Sequence, residues 1–245
     1  MGAILSPLWG GGALFFDLKP KNAIINDVNE ALVACYRSIR DDSDTLMELL
    51  DELDTSIGDD PKAFYYDVRE RFNAKLHACA FDMATAALLI YLNKHCFNGL
   101  YRVNSKGEFN VPCNGSKARS YDRINIEDVA KVLEDATILN GDFEIACRDA
   151  TEGDFIFFDS PYAPLNPTSF ESYTKEGFSV EDHERLARVF KEMTERGCYC
   201  ILTNHNTEFI NELYSGFHID VVQVKRFINS DASKRKGTEV IIKNF

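Results

Sequence analysis

Four large apolar residues in a row, Phe155-Ile156-Phe157-Phe158, stand between two carboxylates, Asp154 and Asp159. A strand with one wet face alternates apolar and polar side chains, whereas a run without alternation suits a strand buried on both faces. A sheet that holds such a strand needs a layer against each face, and the short β-branched runs with helical stretches between them along the chain make that arrangement α/β. The acid at the C-terminal end of the run then lies where open sheets of this class hold ligands.

The rest of the chain is consistent with that arrangement. Ala3-Ile4-Leu5, Ala23 to Asp27, Ala136 to Leu139 and Cys198 to Leu202 read as further strands. A helix is expected from Ser179, with Asp182 as the acid of a capping box and Leu186, Val189, Phe190 and Met193 facing the sheet. Gly197 ends it, so this helix and its two flanking strands form one crossover unit. From about Ser43 to His95 the pattern turns helical, clearest in Thr45 to Leu50 and Ala84 to Leu92. We therefore expect a core formed by residues 1–42 and 124–245, interrupted by an insertion over 43–123. A length of 245 residues suits one main domain with such an insertion.

Composition removes several classes. Hydrophobic residues make up 45% of the chain, as in a globular protein, and no apolar run approaches the ~20 residues of a membrane span. Met1 to Gly12 lacks the basic start and apolar middle of a secretion signal, so a cytoplasmic location is expected. The seven cysteines form no Cys-x-x-Cys pair and are expected to be buried free thiols, with no metal framework. A net charge of −12 argues against a nucleic-acid partner until its distribution is considered. Lys225, Arg226, Lys234, Arg235 and Lys236 face only Asp231 within twelve residues, and Lys117, Arg119 and Arg123 make a weaker cluster.

Four segments carry candidate chemistry. Asp159-Ser160-Pro161-Tyr162 follows the buried strand. The exocyclic amine of adenine is a poor nucleophile because its lone pair is delocalised into the ring, so a catalyst must accept hydrogen bonds from it. A carboxylate and a backbone carbonyl do that, and a tyrosine ring offers a flipped base a stacking surface. Alone, such a turn is structural more often than catalytic. Gly10-Gly11-Gly12, after a strand and before a helix-like run from Ala13 to Phe16, lets a ligand approach the backbone, with Asp27 placed for ribose hydroxyls. The spacing between them is shorter than the ~20 residues of a dinucleotide fold, which counts against NAD. Gly141-Asp142-Phe143 offers an acid and a ring to the amine and face of an adenine moiety, although taken alone it reads as a turn. Residues 97–112, Phe97-Asn98-Gly99-Leu100-Tyr101-Arg102 and onward through Asn104 and Asn110 to Pro112, mix aromatics, amides and an arginine in a loop or hairpin suited to base edges and phosphates.

Collectively and in this order, these segments resemble the Dam family of bacterial and phage DNA adenine methyltransferases, from about Leu5 to Phe245. The family's Glu-Pro-Phe-x-Gly-Gly-Gly turn matches Ser6 to Gly12, and its ribose-binding acid matches Asp27. Its Asn-Gly-Leu-Tyr-Arg loop matches Asn98 to Arg102, and its Asp-Pro-Pro-Tyr motif matches Asp159 to Tyr162. Gly237 to Ile242 is similar to its final strands. The resemblance implies a Rossmann-like, seven-stranded sheet that uses S-adenosyl-L-methionine, with a helical and loop DNA-recognition insertion. It implies that Asp159, Ser160, Pro161 and Tyr162 are catalytic, and that Pro7, Gly10, Gly11, Gly12, Asp27, Asp142 and Phe143 bind cofactor. Asn98, Leu100, Tyr101, Arg102, Asn104 and Asn110 would contact double-stranded DNA, joined by Lys117, Arg119, Lys234 and Arg235 of the basic clusters. No metal is implied. The recognition site suggested is GATC, the partner a cognate restriction enzyme, and the working form a monomer.

Three departures predict weakened cofactor binding and reduced activity. Ser6 stands in place of the family's acid, and Ser160 in place of the first catalytic proline, which leaves that turn less restricted. The family's Trp-x-Gly-Gly-Lys segment, ahead of the glycine turn, has no counterpart in this sequence. Two other readings stay open: a DNA-binding relative that has lost methyl transfer, and a methyltransferase for RNA or a small molecule.

Overall fold

The apolar run 155–158 forms a strand, but its two faces differ. In a computed structural model, which describes residues 2–9, 11–165, 177–225 and 236–245, Ile156 and Phe158 are sealed while Phe155 and Phe157 are half-buried. The expectation of burial on both faces therefore holds fully for one. Ile156 and Phe158 belong to a core cluster to which all the described helices of their unit contribute, namely 143–147, 180–195 and 208–213.

Contacts divide the chain into two units. The first contains Met1–Gly12, Asn22–Val28 and Gly141–Phe245. Its strands are β1 (Ile4–Leu8), β2 (Ala23–Asp27), β4 (Phe155–Phe158), β5 (Tyr199–His205), β6 (His218–Lys225) and β7 (Lys236–Lys243), in the order β2-β1-β4-β5-β7-β6. The first four are parallel, and β7 inserts antiparallel to both β5 and β6. Phe158 pairs with Leu202, so the chain that leaves the sheet after Phe158 runs beside Thr203, Asn204 and His205, the last residues of β5.

Helices α7 (Phe143–Cys147), α8 (Val180–Glu195) and α9 (Glu208–Leu213) pack on this sheet. Helix α8 starts as its sequence predicts: the Ser179 hydroxyl accepts from the Asp182 amide at 3.1 Å, and Asp182 accepts from the Ser179 amide at 2.9 Å. Leu186, Val189, Phe190 and Met193 are at most 6% exposed. Each such side chain stabilises by about 1.5–3 kcal/mol through burial.

The second unit contains Ala13–Lys21 and Asn29–Asn140, a wider span than residues 43–123. It comprises α1 (Ala13–Leu18), α2 (Glu30–Asp41), α3 (Ser43–Thr55), α4 (Pro61–His77), α5 (Met83–His95), α6 (Arg123–Leu133) and β3 (Ala136–Asn140). Asp42, Asp60, Asp82 and Asp122 each cap a helix by accepting from backbone N–H groups that the helix cannot satisfy itself. Leu46, Met47, Leu50, Tyr65, Val68, Phe72 and Leu92 are fully buried in its interior. Seven strands thus form among the described residues, six of them in the first unit.

All seven cysteines are free, but Cys79 is exposed and Cys113 half-exposed, which corrects the expectation that every thiol is buried. Cys79 follows the last turn of α4 with φ of 49°, outside the packed face. No described helix is long and apolar enough to cross a membrane.

Candidate active site

Beyond the last residue of β4, the chain turns through Asp159, Ser160, Pro161 and Tyr162, and consecutive residues at the end of β5 hold it. Thr203 donates its hydroxyl to Asp159 Oδ1 at 3.2 Å. Asn204, fully buried, donates to Ser160 Oγ at 3.1 Å and accepts from the Ala163 amide at 2.8 Å. His205 Nδ1 lies 2.7 Å from the Ala163 carbonyl, which assigns its proton to that nitrogen, and its ring meets Tyr162 edge-on at 4.9 Å. The Tyr162 hydroxyl points to Glu239 Oε2 on β7, 3.4 Å away. The restriction lost with a proline ring at 160 is thus answered by a hydrogen bond to a buried amide.

This environment is half-buried and acidic. Burial raises the Asp159 carboxyl above its ordinary value, the charge of Glu239 adds to the effect, and the Thr203 hydroxyl opposes it. Burial likewise pushes the Tyr162 phenol up, so it stays protonated. A half-buried carboxylate beside a backbone carbonyl is an arrangement that accepts hydrogen bonds from an amine.

A second cluster sits at the ends of β1 and β2. Asn26, 3% exposed, donates to the carbonyls of Pro7 and Gly141, both at 2.9 Å. The Trp9 amide donates to the Asn26 carbonyl at 3.0 Å, and the Gly141 amide to that of Asp27 at 3.3 Å. The glycine turn, Asp27 and the Gly141-Asp142 turn are in this way tied to one another. A Cβ on Gly11 would meet nothing within 4 Å, so open space lies beside that backbone, and Gly12 has φ of 65°. Backbone groups next to open space, flanked by the half-exposed carboxylates of Asp27 and Asp142, fit a nucleoside carrying an amino acid.

The structure thus brings the four predicted catalytic residues into one turn. It also gathers Pro7, Gly11, Gly12, Asp27 and Asp142 at neighbouring strand ends; Gly10 lies outside the described residues. Phe143 requires a correction: its ring is 2% exposed and packs against Phe178 under the Arg185 guanidinium, so it presents no face to a ligand. Its place as the first residue of α7 turns the ring into the core. Thr203, Asn204, His205, Glu239 and Asn26 went unnoticed in the sequence. A polar Thr-Asn-His run closing an apolar strand was the available signal.

In the second unit, residues 96–113 form an irregular hairpin with isolated bridges at Cys96–Cys113 and Val103–Phe109. Asn98 has φ of 56°, and Leu100 and Tyr101 are 40% and 41% exposed. Arg102 donates to Asn110 Oδ1 at 2.7 Å across the hairpin. Asn104 closes the tip, accepting from the amides of Lys106 and Glu108 at 2.9 and 3.1 Å. Lys117 donates to the Gly58 carbonyl at 3.2 Å, and Arg119 pairs with Asp51 at 2.6 Å. Asn104, Asn110, Lys117 and Arg119 therefore have structural partners in the second unit. Lys234 and Arg235 lie outside the described residues.

Residues 3–228 match the family model described as the D12 class N6 adenine-specific DNA methyltransferase. The chain belongs to that family. A Type II methyltransferase from Methanocaldococcus jannaschii, M.MjaIII, is 42% identical over 98% of this chain and 88% of its own length. M1.LlaDCHI of Lactococcus lactis subsp. cremoris, also named a Type II methyltransferase, is 40% identical over 98% and 85%. The DNA adenine methylase of Escherichia coli K12 is 28% identical over 98% and 84%. As a D12-class enzyme, this protein transfers a methyl group from S-adenosyl-L-methionine to the N6 amine of adenine in DNA.

Proposed function

We propose that the Asp159-Ser160-Pro161-Tyr162 turn carries out the transfer, on adenine in double-stranded GATC sites. The observation that supports this most is the half-buried Asp159 carboxylate at the end of β4, held by Thr203 within a turn that Asn204 fixes. The target amine donates to Asp159 and to the Ser160 carbonyl, which localises its lone pair for attack, while Tyr162 stacks on the extruded base. Bound S-adenosyl-L-methionine supplies an electrophilic methyl group. Pro7, Gly10, Gly11 and Gly12 would hold it from the glycine turn, Asp27 would accept from its ribose hydroxyls, and the Asp142-Phe143 turn would meet it through its carboxylate and main chain. Positioning and electrostatics carry the rate, with no metal.

Asn98, Leu100, Tyr101 and Arg102 make the DNA-reading edge of the hairpin. Asn104 and Asn110 shape it, and Lys117, Arg119, Lys234 and Arg235 supply phosphate contacts. The enzyme works in the cytoplasm as a monomer, and the Type II names of two relatives support a restriction enzyme of matching specificity as its partner. The test is methylation of a duplex with one GATC site against the same duplex with GTTC in its place. Incorporation into the first alone is expected; equal incorporation rejects the site, and preference for single-stranded RNA rejects the substrate.

A further inference from the structure

The buried amide behind the catalytic turn is better placed than a packing role requires. Asn204 is fully buried, as is Ala163, and Ser160 is 3% exposed. Its Oδ1 accepts from the amides of Ala163 at 2.8 Å and His205 at 2.9 Å, and its Nδ2 donates to Ser160 Oγ at 3.1 Å. The amide orientation is fixed by this pattern, because a flipped group would set its NH2 against two N–H donors. Ser160 and Ala163 bracket Pro161 and Tyr162, so one side chain holds both ends of the segment that carries the Ser160 carbonyl and the Tyr162 ring.

We propose that Asn204 is a positioning residue for methyl transfer that acts through the Ser160 hydroxyl, so that the two work as a pair. Proline at 160, the residue of the family's usual motif, cannot replace the serine here. It has no hydroxyl, and would leave the Asn204 Nδ2 buried without its acceptor. The pair holds the Ser160 carbonyl where the target amine needs it, and misplacement by a fraction of an ångström is enough to slow a reaction that depends on alignment. This assignment rests on the turn being the catalytic one.

The experiment compares the full chain with Ser160→Ala, Ser160→Thr, Ser160→Pro, Asn204→Ala and the Ser160→Ala/Asn204→Ala double variant. It reads kcat and KM on duplex DNA, affinity for S-adenosyl-L-homocysteine, and hydrogen exchange at the Ala163 amide. Ser160→Ala and Ser160→Pro should each lower kcat by about tenfold, with KM for DNA and homocysteine-product affinity unchanged. Ser160→Thr, which keeps the hydroxyl, should lose less of kcat than Ser160→Ala, the partial rescue that a merely structural role would not give. The double variant should be no slower than Asn204→Ala alone, the signature of coupled groups.

Additive losses, or a Ser160→Pro enzyme as fast as wild type, would overturn the proposal. A wild-type chain that methylates no adenine would instead reject the catalytic reading of the turn, and amide exchange would then decide the pair by itself. Exchange at Ala163 about tenfold faster in Ser160→Ala supports the coupling, and unchanged exchange overturns it.

Discussion

Arg185 on α8 donates to Asp142 Oδ2 at 2.7 Å while its guanidinium carbon sits 4.6 Å from the centre of the Phe143 ring. The same guanidinium lies 3.5 Å from Glu144 and 3.3 Å from Asp182, and the other Asp142 oxygen caps α7 at the Glu144 amide. Arg185 therefore sets the direction of the carboxylate assigned to the cofactor. Replacing it with alanine should weaken S-adenosyl-L-homocysteine binding by about tenfold, roughly 1.4 kcal/mol, without changing DNA affinity. Calorimetric titration of wild type and Arg185→Ala checks this, and equal affinities would remove Arg185 from the site's support.

The raised carboxyl of Asp159 has two measurable consequences. The hydrogen-bond-accepting form is the carboxylate, so the acid limb of the kcat profile should lie above the ordinary aspartate value of 3.8. The folded state binds this proton more tightly than the unfolded chain does, so the ionised group opposes folding once pH exceeds the unfolded value, and the opposition disappears as pH falls below it. Asp159→Asn should accordingly raise Tm at pH 7 while losing activity, and the gain in Tm should vanish at low pH. A lower Tm at pH 7 would show that the carboxylate is a net stabiliser.

Asn26 bridges two carbonyls from distant parts of the first unit. Asn26→Leu leaves both without this donor; a buried polar group stripped of its partner costs about 1–3 kcal/mol, and the part-buried Gly141 carbonyl adds only about 1. Urea unfolding should show a loss of ~2–4 kcal/mol with an unchanged m-value. Affinity for the homocysteine product should fall with it, because Pro7 and Gly141 are no longer tied together.

Arg102→Ala removes one cation from the hairpin edge, together with its brace to Asn110. DNA affinity should fall, and the slope of log K against log salt should drop by about one. Binding of S-adenosyl-L-homocysteine should not change. Fluorescence anisotropy over a salt series provides the measurement, and an unaltered DNA affinity would take the hairpin off the recognition surface.

What could be read in advance followed local chemistry. The run 155–158, the capping box at Ser179 and Asp182, and the Asp159 to Tyr162 turn depend on neighbours in sequence, and each was visible there. The supports of that turn were not, because Asn204 and Ser160 meet across 44 positions through the pairing of β4 with β5, and Glu239 arrives on β7. Phe143 misled for a related reason: an aromatic ring after an acid reads as a stacking platform until the helix it begins turns it inward. Pattern also gave the helices of Ser43 to His95, but α2 and α6 went unread, and both lie within the second unit.

The central claim is that Asp159 and its turn place a methyl group on N6 of adenine in duplex DNA. Incubating the chain and its Asp159→Ala variant with S-adenosyl-L-methionine and mixed duplex DNA, then digesting to nucleosides for mass spectrometry, tests it directly. N6-methyldeoxyadenosine as the sole modified nucleoside in wild type, and its absence in a variant that still binds S-adenosyl-L-homocysteine, is the predicted result. Wild-type levels of N6-methyldeoxyadenosine from Asp159→Ala, or a methylated cytosine from the native chain, would contradict it.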